Sequence, residues 1–109
     1  MIYIHRISGY NQAPGKESPD IKAVLKAATG KIFRRTDRYI QLALLGVHEM
    51  AENIGSDSAL IMTSGEGNLS VFNRIRDLQY IEHQPPRPVD FINSLNNSAG
   101  FYVAQYLGL

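Results

Sequence analysis

The sequence predicts an α/β fold in which two parallel strands are covered by helices and which is incomplete on its own. A short β-branched and aromatic segment at residues 1–7 is typical of a strand. A continuous apolar run at residues 59–63 suits a second strand, buried on both faces of a sheet. Helical patterns separate these segments, and strands connected through helices pair in parallel. Two strands are too few to cover so many apolar helices.

Length and composition limit the function classes. The chain has 109 residues, a net charge of +1 and no cysteine, which excludes disulfides, zinc–thiolate sites and a cysteine nucleophile within it. We therefore expect one domain over residues 1–109 with no general affinity for nucleic acid. The longest apolar run, residues 42–47, is too short to span a membrane, and no signal-peptide pattern is present. These features predict a cytoplasmic protein.

Two helices are predicted before the second strand. For the first, Ser18 is the expected N-cap and Gly30 the expected end. The second helix is predicted over residues 38–53, with Thr36 as its N-cap and Gly55 after its end. Because apolar residues cover most of its surface, we expect it to pack on two sides. Its apolar stripe consists of Ile40, Ala43, Leu44, Val47 and Ala51.

Two further helices follow the run at residues 59–63. Residues 64–67 predict a tight turn, with anion binding by its backbone as the alternative. Asn68 or Ser70 is expected to cap the next helix. The last helix is predicted over residues 89–107. Besides its apolar stripe it has a stripe of small and polar residues, which lets another backbone come close: Asn93, Asn97, Gly100 and Ala104.

A cluster of basic residues precedes the helix at residues 38–53. It consists of Lys31, Arg34, Arg35 and Arg38. Positive charge at a helix N-terminus opposes the helix dipole, so the cluster needs a partner. One interpretation is pairing with nearby carboxylates, and the other is docking of an anionic partner such as a carrier protein. The three histidines have no metal-ligand spacing, so neither a metal nor a cofactor is predicted.

Several stretches resemble, in order, the N-terminal half of the β-ketoacyl synthases, the condensing enzymes of fatty-acid and polyketide synthesis. Residues 1–7 and 60–69 are similar to the family's first two strands and the turn that follows. Residues 34–43 are similar to its basic first long helix. Residues 85–88 and 91–101 are similar to its proline-rich loop and a helix with an Asn-x-x-Ala-Gly pattern. The resemblance implies the N-terminal portion of a thiolase-like fold.

The resemblance also implies a function. It describes a fragment or subunit of a β-ketoacyl-(acyl-carrier-protein) synthase, which transfers acyl groups and condenses them with decarboxylation. The alternative is a non-catalytic partner subunit, similar to a chain-length factor, that shapes an acyl tunnel. A third hypothesis is an unrelated α/β binding module. None of the family's catalytic residues maps onto this chain, so whether it is an enzyme stays open.

Site residues and partners follow from the same resemblance. It places Glu66 and Asn96 near the acyl tunnel, although Glu66 could instead point outward or pair with Arg74 or Arg87. An acyl carrier protein would dock on the basic cluster, Lys31, Arg34, Arg35 and Arg38. The last helix has two faces that need a packing partner, its apolar stripe and its stripe of small residues. We therefore expect a homo-oligomer or a complex with a complementary ketosynthase chain.

Overall fold

Five α-helices form the regular part of the protein in the computed structural model, which describes residues 2–11, 19–95 and 97–109. A short 3-10 helix, Ala51–Asn53, follows the second of them. The α-helices are α1 (Ile21–Thr29), α2 (Arg38–His48), α3 (Leu69–Tyr80), α4 (Pro88–Asn93) and α5 (Asn97–Leu107). None of these described residues belongs to a β-strand.

The α/β prediction is therefore wrong, and the resemblance to the β-ketoacyl synthases and their thiolase-like fold is overturned with it. Residues 2–7 and 59–63, the predicted strands, have no regular secondary structure. The N–H and C=O groups of a strand are satisfied only by a neighbouring strand. No such neighbour exists within the described ranges, so an apolar and β-branched composition does not produce a sheet there.

Helix α2 packs between α1 and α5 instead of against a sheet. The prediction that it packs on two sides is confirmed, although the neighbours are helices. The residues buried between the three helices form the core of the protein. They are Leu25, Ile40, Leu44, Ala99 and Val103. Val71 of α3 is also fully buried but lies outside this cluster.

Acidic side chains cap the first two helices. Asp20 accepts a hydrogen bond from the N–H of Ala23 at 3.4 Å, and Asp37 accepts one from Ile40 at 3.1 Å. The predicted cap Thr36 lies one residue too early, and the predicted cap Ser18 is outside the described residues. The predicted end of α1 at Gly30 is confirmed, because Gly30 is left-handed at φ 70° and its N–H donates to Lys26.

The predicted helix at residues 89–107 is broken into α4 and α5. The side chain of Ser98 donates to the carbonyl of Ile92 at 2.6 Å across the break. A serine hydroxyl that bonds a nearby carbonyl offers the backbone an alternative to the helical ladder. The break therefore turns α5 toward α2, while α4 packs against α3.

The molecule is less compact than its length allows. Its radius of gyration is 15.6 Å, against about 13 Å for a compact domain of this length. Many large apolar side chains stay in solvent as a result, including Ile2, Ile4, Ile7 and Ile61. No helix in the described part of the chain is long and apolar enough to cross a membrane.

Candidate functional site

Residues 59–63 lie against the small-residue stripe of α5. A methyl group built on Gly100 would sit 3.5 Å from the sulfur of Met62, which is ordinary contact distance. The sequence predicts that another backbone comes close to this stripe, but the group that lies against Gly100 is the Met62 side chain. A groove of about 580 Å³ runs between the two elements. Its walls are Leu60, Met62, Asn97, Gly100, Phe101 and Ala104.

Exposure alternates along residues 60–62. Leu60 and Met62 line the groove and are partly covered, whereas Ile61 is 86% exposed. Within the described residues, no backbone group of residues 59–63 takes part in a hydrogen bond. We call residues 59–63 together with Phe101 the open apolar face. It combines an unpaired backbone with a bare β-branched side chain, as the edge strand of a sheet does.

A second site is a polar network around Asn68, which joins three helices. The Asn68 side-chain amide donates to the Asp37 carboxylate and, at 2.8 Å, to the carbonyl of Asn93. Asn93 in turn donates to the carbonyl of Arg35 at 2.8 Å. Asn68 and Asn93 are both buried. Because buried amides must be hydrogen-bonded, this network fixes the starts of α2 and α3 relative to α4.

Sequence reasoning missed this network. It predicts Asn68 or Ser70 as the cap of α3; Asn68 does occupy the N-cap position, but its side chain makes no capping hydrogen bond to α3. The Asn93 amide was read only as part of a small-residue stripe. Asn68 lies 31 residues from Asp37 and 25 residues from Asn93 along the chain. A local sequence pattern cannot show that such distant side chains meet.

Arg35 has a strained backbone. Its φ of 60° lies in the left-handed region, which costs a non-glycine residue about 1–2 kcal/mol. The hydrogen bond from Asn93 holds its carbonyl in this conformation. Such outliers persist only where surrounding contacts fix them, and they concentrate at ligand sites.

The four residues of the basic cluster lie in different surroundings. The ammonium of Lys31 is 5.5 Å from the centre of the Tyr106 ring, and Arg38 donates to the carbonyl of Pro19 at 3.4 Å. Arg34 and Arg35 are both exposed, and Arg35 also lines a groove beside α4. The proposed carboxylate partners Asp20 and Asp37 cap helices, and Glu17 is outside the described residues. Carrier-protein docking on this cluster stays a prediction.

Of the two predicted tunnel residues, only Glu66 belongs to the described part of the chain. Glu66 is exposed on the turn at residues 64–67, and Asn96 is outside the described residues. Arg74 pairs with Asp90 at 2.6 Å, so it is not the partner of Glu66. The predicted tight turn is stabilised by the N–H of Gly67, which donates to Ser64 Oγ at 2.8 Å. That N–H is therefore not directed toward an anion.

Tyr106 links α5 to the end of α2. Its hydroxyl lies 2.6 Å from His48 Nδ1, and its ring meets Phe33 edge-on at 5.6 Å between ring centres. Burial raises the pKa of Tyr106 above its ordinary value of 10.0, because desolvation disfavours the phenolate. These contacts stabilise one end of the core and leave the tyrosine protonated at neutral pH.

The comparisons with known proteins identify no relative. No family model, no curated protein and no solved structure matches this chain.

Proposed function

We propose that this chain is a binding subunit that assembles with a second chain through the open apolar face. The observation that carries the proposal is Ile61, whose side chain is bare while its neighbours Leu60 and Met62 contact the α5 groove. Contiguous apolar surface of this kind marks interaction sites in proteins. The unpaired backbone on either side of Ile61 gives the partner hydrogen-bonding groups as well.

Strand pairing is the mode of binding that this surface favours. An added strand satisfies the free N–H and C=O groups, and its side chains cover alternate residues. Burying the isoleucine side chain contributes about 1.5–3 kcal/mol. Micromolar association requires about 8 kcal/mol, so the backbone hydrogen bonds and the flanking side chains must contribute as well.

A second copy of this chain is the partner that the segment's composition favours. Residues 59–63 carry no charge. Antiparallel pairing of two such segments about a twofold axis therefore opposes no like charges. Residues 2–7 are also exposed but contain His5 and Arg6. Self-pairing there would bring cationic side chains together, which makes residues 59–63 the better dimer contact.

Sedimentation equilibrium at micromolar concentration tests the proposal. We expect a species of twice the chain mass of 12.2 kDa. Ile61→Lys should weaken the dimer by at least about tenfold, because it places two ammonium groups in an apolar contact. Gln79→Lys, on an exposed position of α3, is the matched control and should leave the dimer intact. A monomeric wild type that unfolds cooperatively would overturn the proposal.

Acyl transfer and the acyl-carrier-protein partner stay untested predictions, as does the cytoplasmic location. The two acyl-related predictions depend on a resemblance that the helical fold overturns, and no contact among the described residues supports them.

A further inference from the structure

A groove of about 400 Å³ lies beside α4 and shares no lining residue with the open apolar face. Its walls are mainly apolar and aromatic, and among the described residues one cationic residue lines it. The lining residues are Arg35, Pro88, Val89, Ile92, Asn93 and Tyr102. Ile92 is more than half exposed in this groove. The volume lies at the small end of the range for ligand sites, so it suits one ring or a short chain.

The backbone of Arg35 is fixed by hydrogen bonds to buried groups, while its side chain is exposed. Asn93 donates to the Arg35 carbonyl, and Asn68 donates to the Asn93 carbonyl. Asp37, which accepts from Asn68, is itself held as the cap of α2. This series of hydrogen bonds maintains the left-handed backbone of Arg35. A backbone that is already held in place loses less entropy when a ligand binds beside it.

The Arg35 guanidinium has no acidic partner among the described residues. Asp37, two residues away, caps a helix, and Asp90 of α4 pairs with Arg74. A guanidinium binds a carboxylate through two parallel hydrogen bonds. The groove therefore presents an unpaired carboxylate-binding group next to an apolar wall.

We propose that this groove binds a small apolar carboxylate, with the anionic group on Arg35 and the apolar body against Val89, Ile92 and Tyr102. The ligand class is set by the combination of one cation with apolar and aromatic walls. Two sources share this chemistry, a free aryl-alkyl acid and the C-terminal carboxylate of a peptide that ends in an aromatic residue.

Titration followed by NMR tests the proposal with defined probes. The two ligands are 3-phenylpropionate and N-acetyl-Ala-Phe, and their neutral controls are 3-phenylpropanol and N-acetyl-Ala-Phe-amide. We expect at least one acid to bind at least about tenfold more tightly than its neutral control. Shifts should centre on the amides of Val89 and Ile92. Which acid binds identifies the source.

Variants at two neighbouring arginines show whether the acid binds at one specific site or is attracted by the general positive charge of this region. Arg35→Gln should weaken binding of the acid by about tenfold or more, whereas Arg34→Gln, at the adjacent exposed arginine, should not. Arg35→Gly removes the charge but suits the left-handed backbone, so it keeps the fold and should also lose binding. Equal binding of acids and neutral controls, equal loss in both glutamine variants, or no binding of either acid would overturn the proposal. The Ile61→Lys variant should bind the acid as tightly as wild type does. The carboxylate site is therefore tested independently of whether the chain forms a dimer.

Discussion

Helix α2 and the segment at residues 59–63 have similar apolar composition but very different burial. Leu44 of α2 is 0% exposed, whereas Ile61 is 86% exposed. In α2 the apolar residues recur at helical spacing, so the helix satisfies its own backbone and presents its side chains to α1 and α5. Residues 59–63 need another strand for their backbone. Burial in this protein thus depends on whether a segment's hydrogen bonds are local.

Truncation of a side chain in each region is the strongest test of this difference. Leu44→Ala should lower the free energy of unfolding by about 2–5 kcal/mol, because it leaves a cavity in the core. Ile61→Ala, measured below the dissociation constant of any dimer, should change it by less than about 0.5 kcal/mol. Urea unfolding followed by circular dichroism measures both. Equal losses would show that residues 59–63 belong to the core.

The hydrogen bonds of the buried Asn68 side chain join helices through polar groups, and their contribution to stability can be measured in the same way. Asn68→Ala should lower the free energy of unfolding by about 1–3 kcal/mol, since it leaves the buried carbonyl of Asn93 without its donor. Gln79→Ala on the exposed side of α3 is the control and should have almost no effect. If both variants unfold at the same urea concentration, the network does not stabilise the fold.

The smallest expected effect is a pH dependence at the end of the core. The pKa of Tyr106 is raised by burial, so the folded state holds the phenolic proton more tightly than the unfolded state. Its contribution to stability is complete below the unfolded pKa of 10.0 and is lost as pH rises above it. Thermal unfolding of wild type and Tyr106→Phe between neutral pH and pH 11 measures this. Identical slopes above pH 10 would contradict the assignment.

The sequence predicted where helices lie better than where they end. The helix predicted over residues 38–53 ends as an α-helix at His48, and the one predicted over residues 89–107 is broken. The end of α1 at Gly30 and the two-sided packing of α2 follow from spacing and local caps. The strands at residues 1–7 and 59–63 were wrong because β-branched composition does not reveal whether a pairing partner exists. Ser98, which bonds across the break between α4 and α5, competes with a helical pattern that is otherwise continuous.

The candidate sites show the same limit. Arg35 was identified through its charge, but nothing local indicated its left-handed backbone or its place in an apolar groove. The amides of Asn68 and Asn93 gave no signal, since their partners come from distant elements. For the open apolar face, the sequence indicated that α5 needs a neighbour, and residues 59–63 partly provide one.

The Asn68 amide has a consequence for how the molecule opens. Helices α3 and α4 contact each other but place no residue in the main core cluster. Hydrogen bonds of Asn68 and Asn93 join them to the start of α2, and α4 also contacts α5. Regions with few buried contacts exchange their amide hydrogens through partial opening, at a lower free energy than global unfolding. We therefore expect α3 and α4 to exchange as one cooperative unit before α1, α2 and α5. Removing the Asn68 amide should lower the free energy at which α3 and α4 open together, while the hydrogen bond from Ser98 to Ile92 still joins α4 to α5.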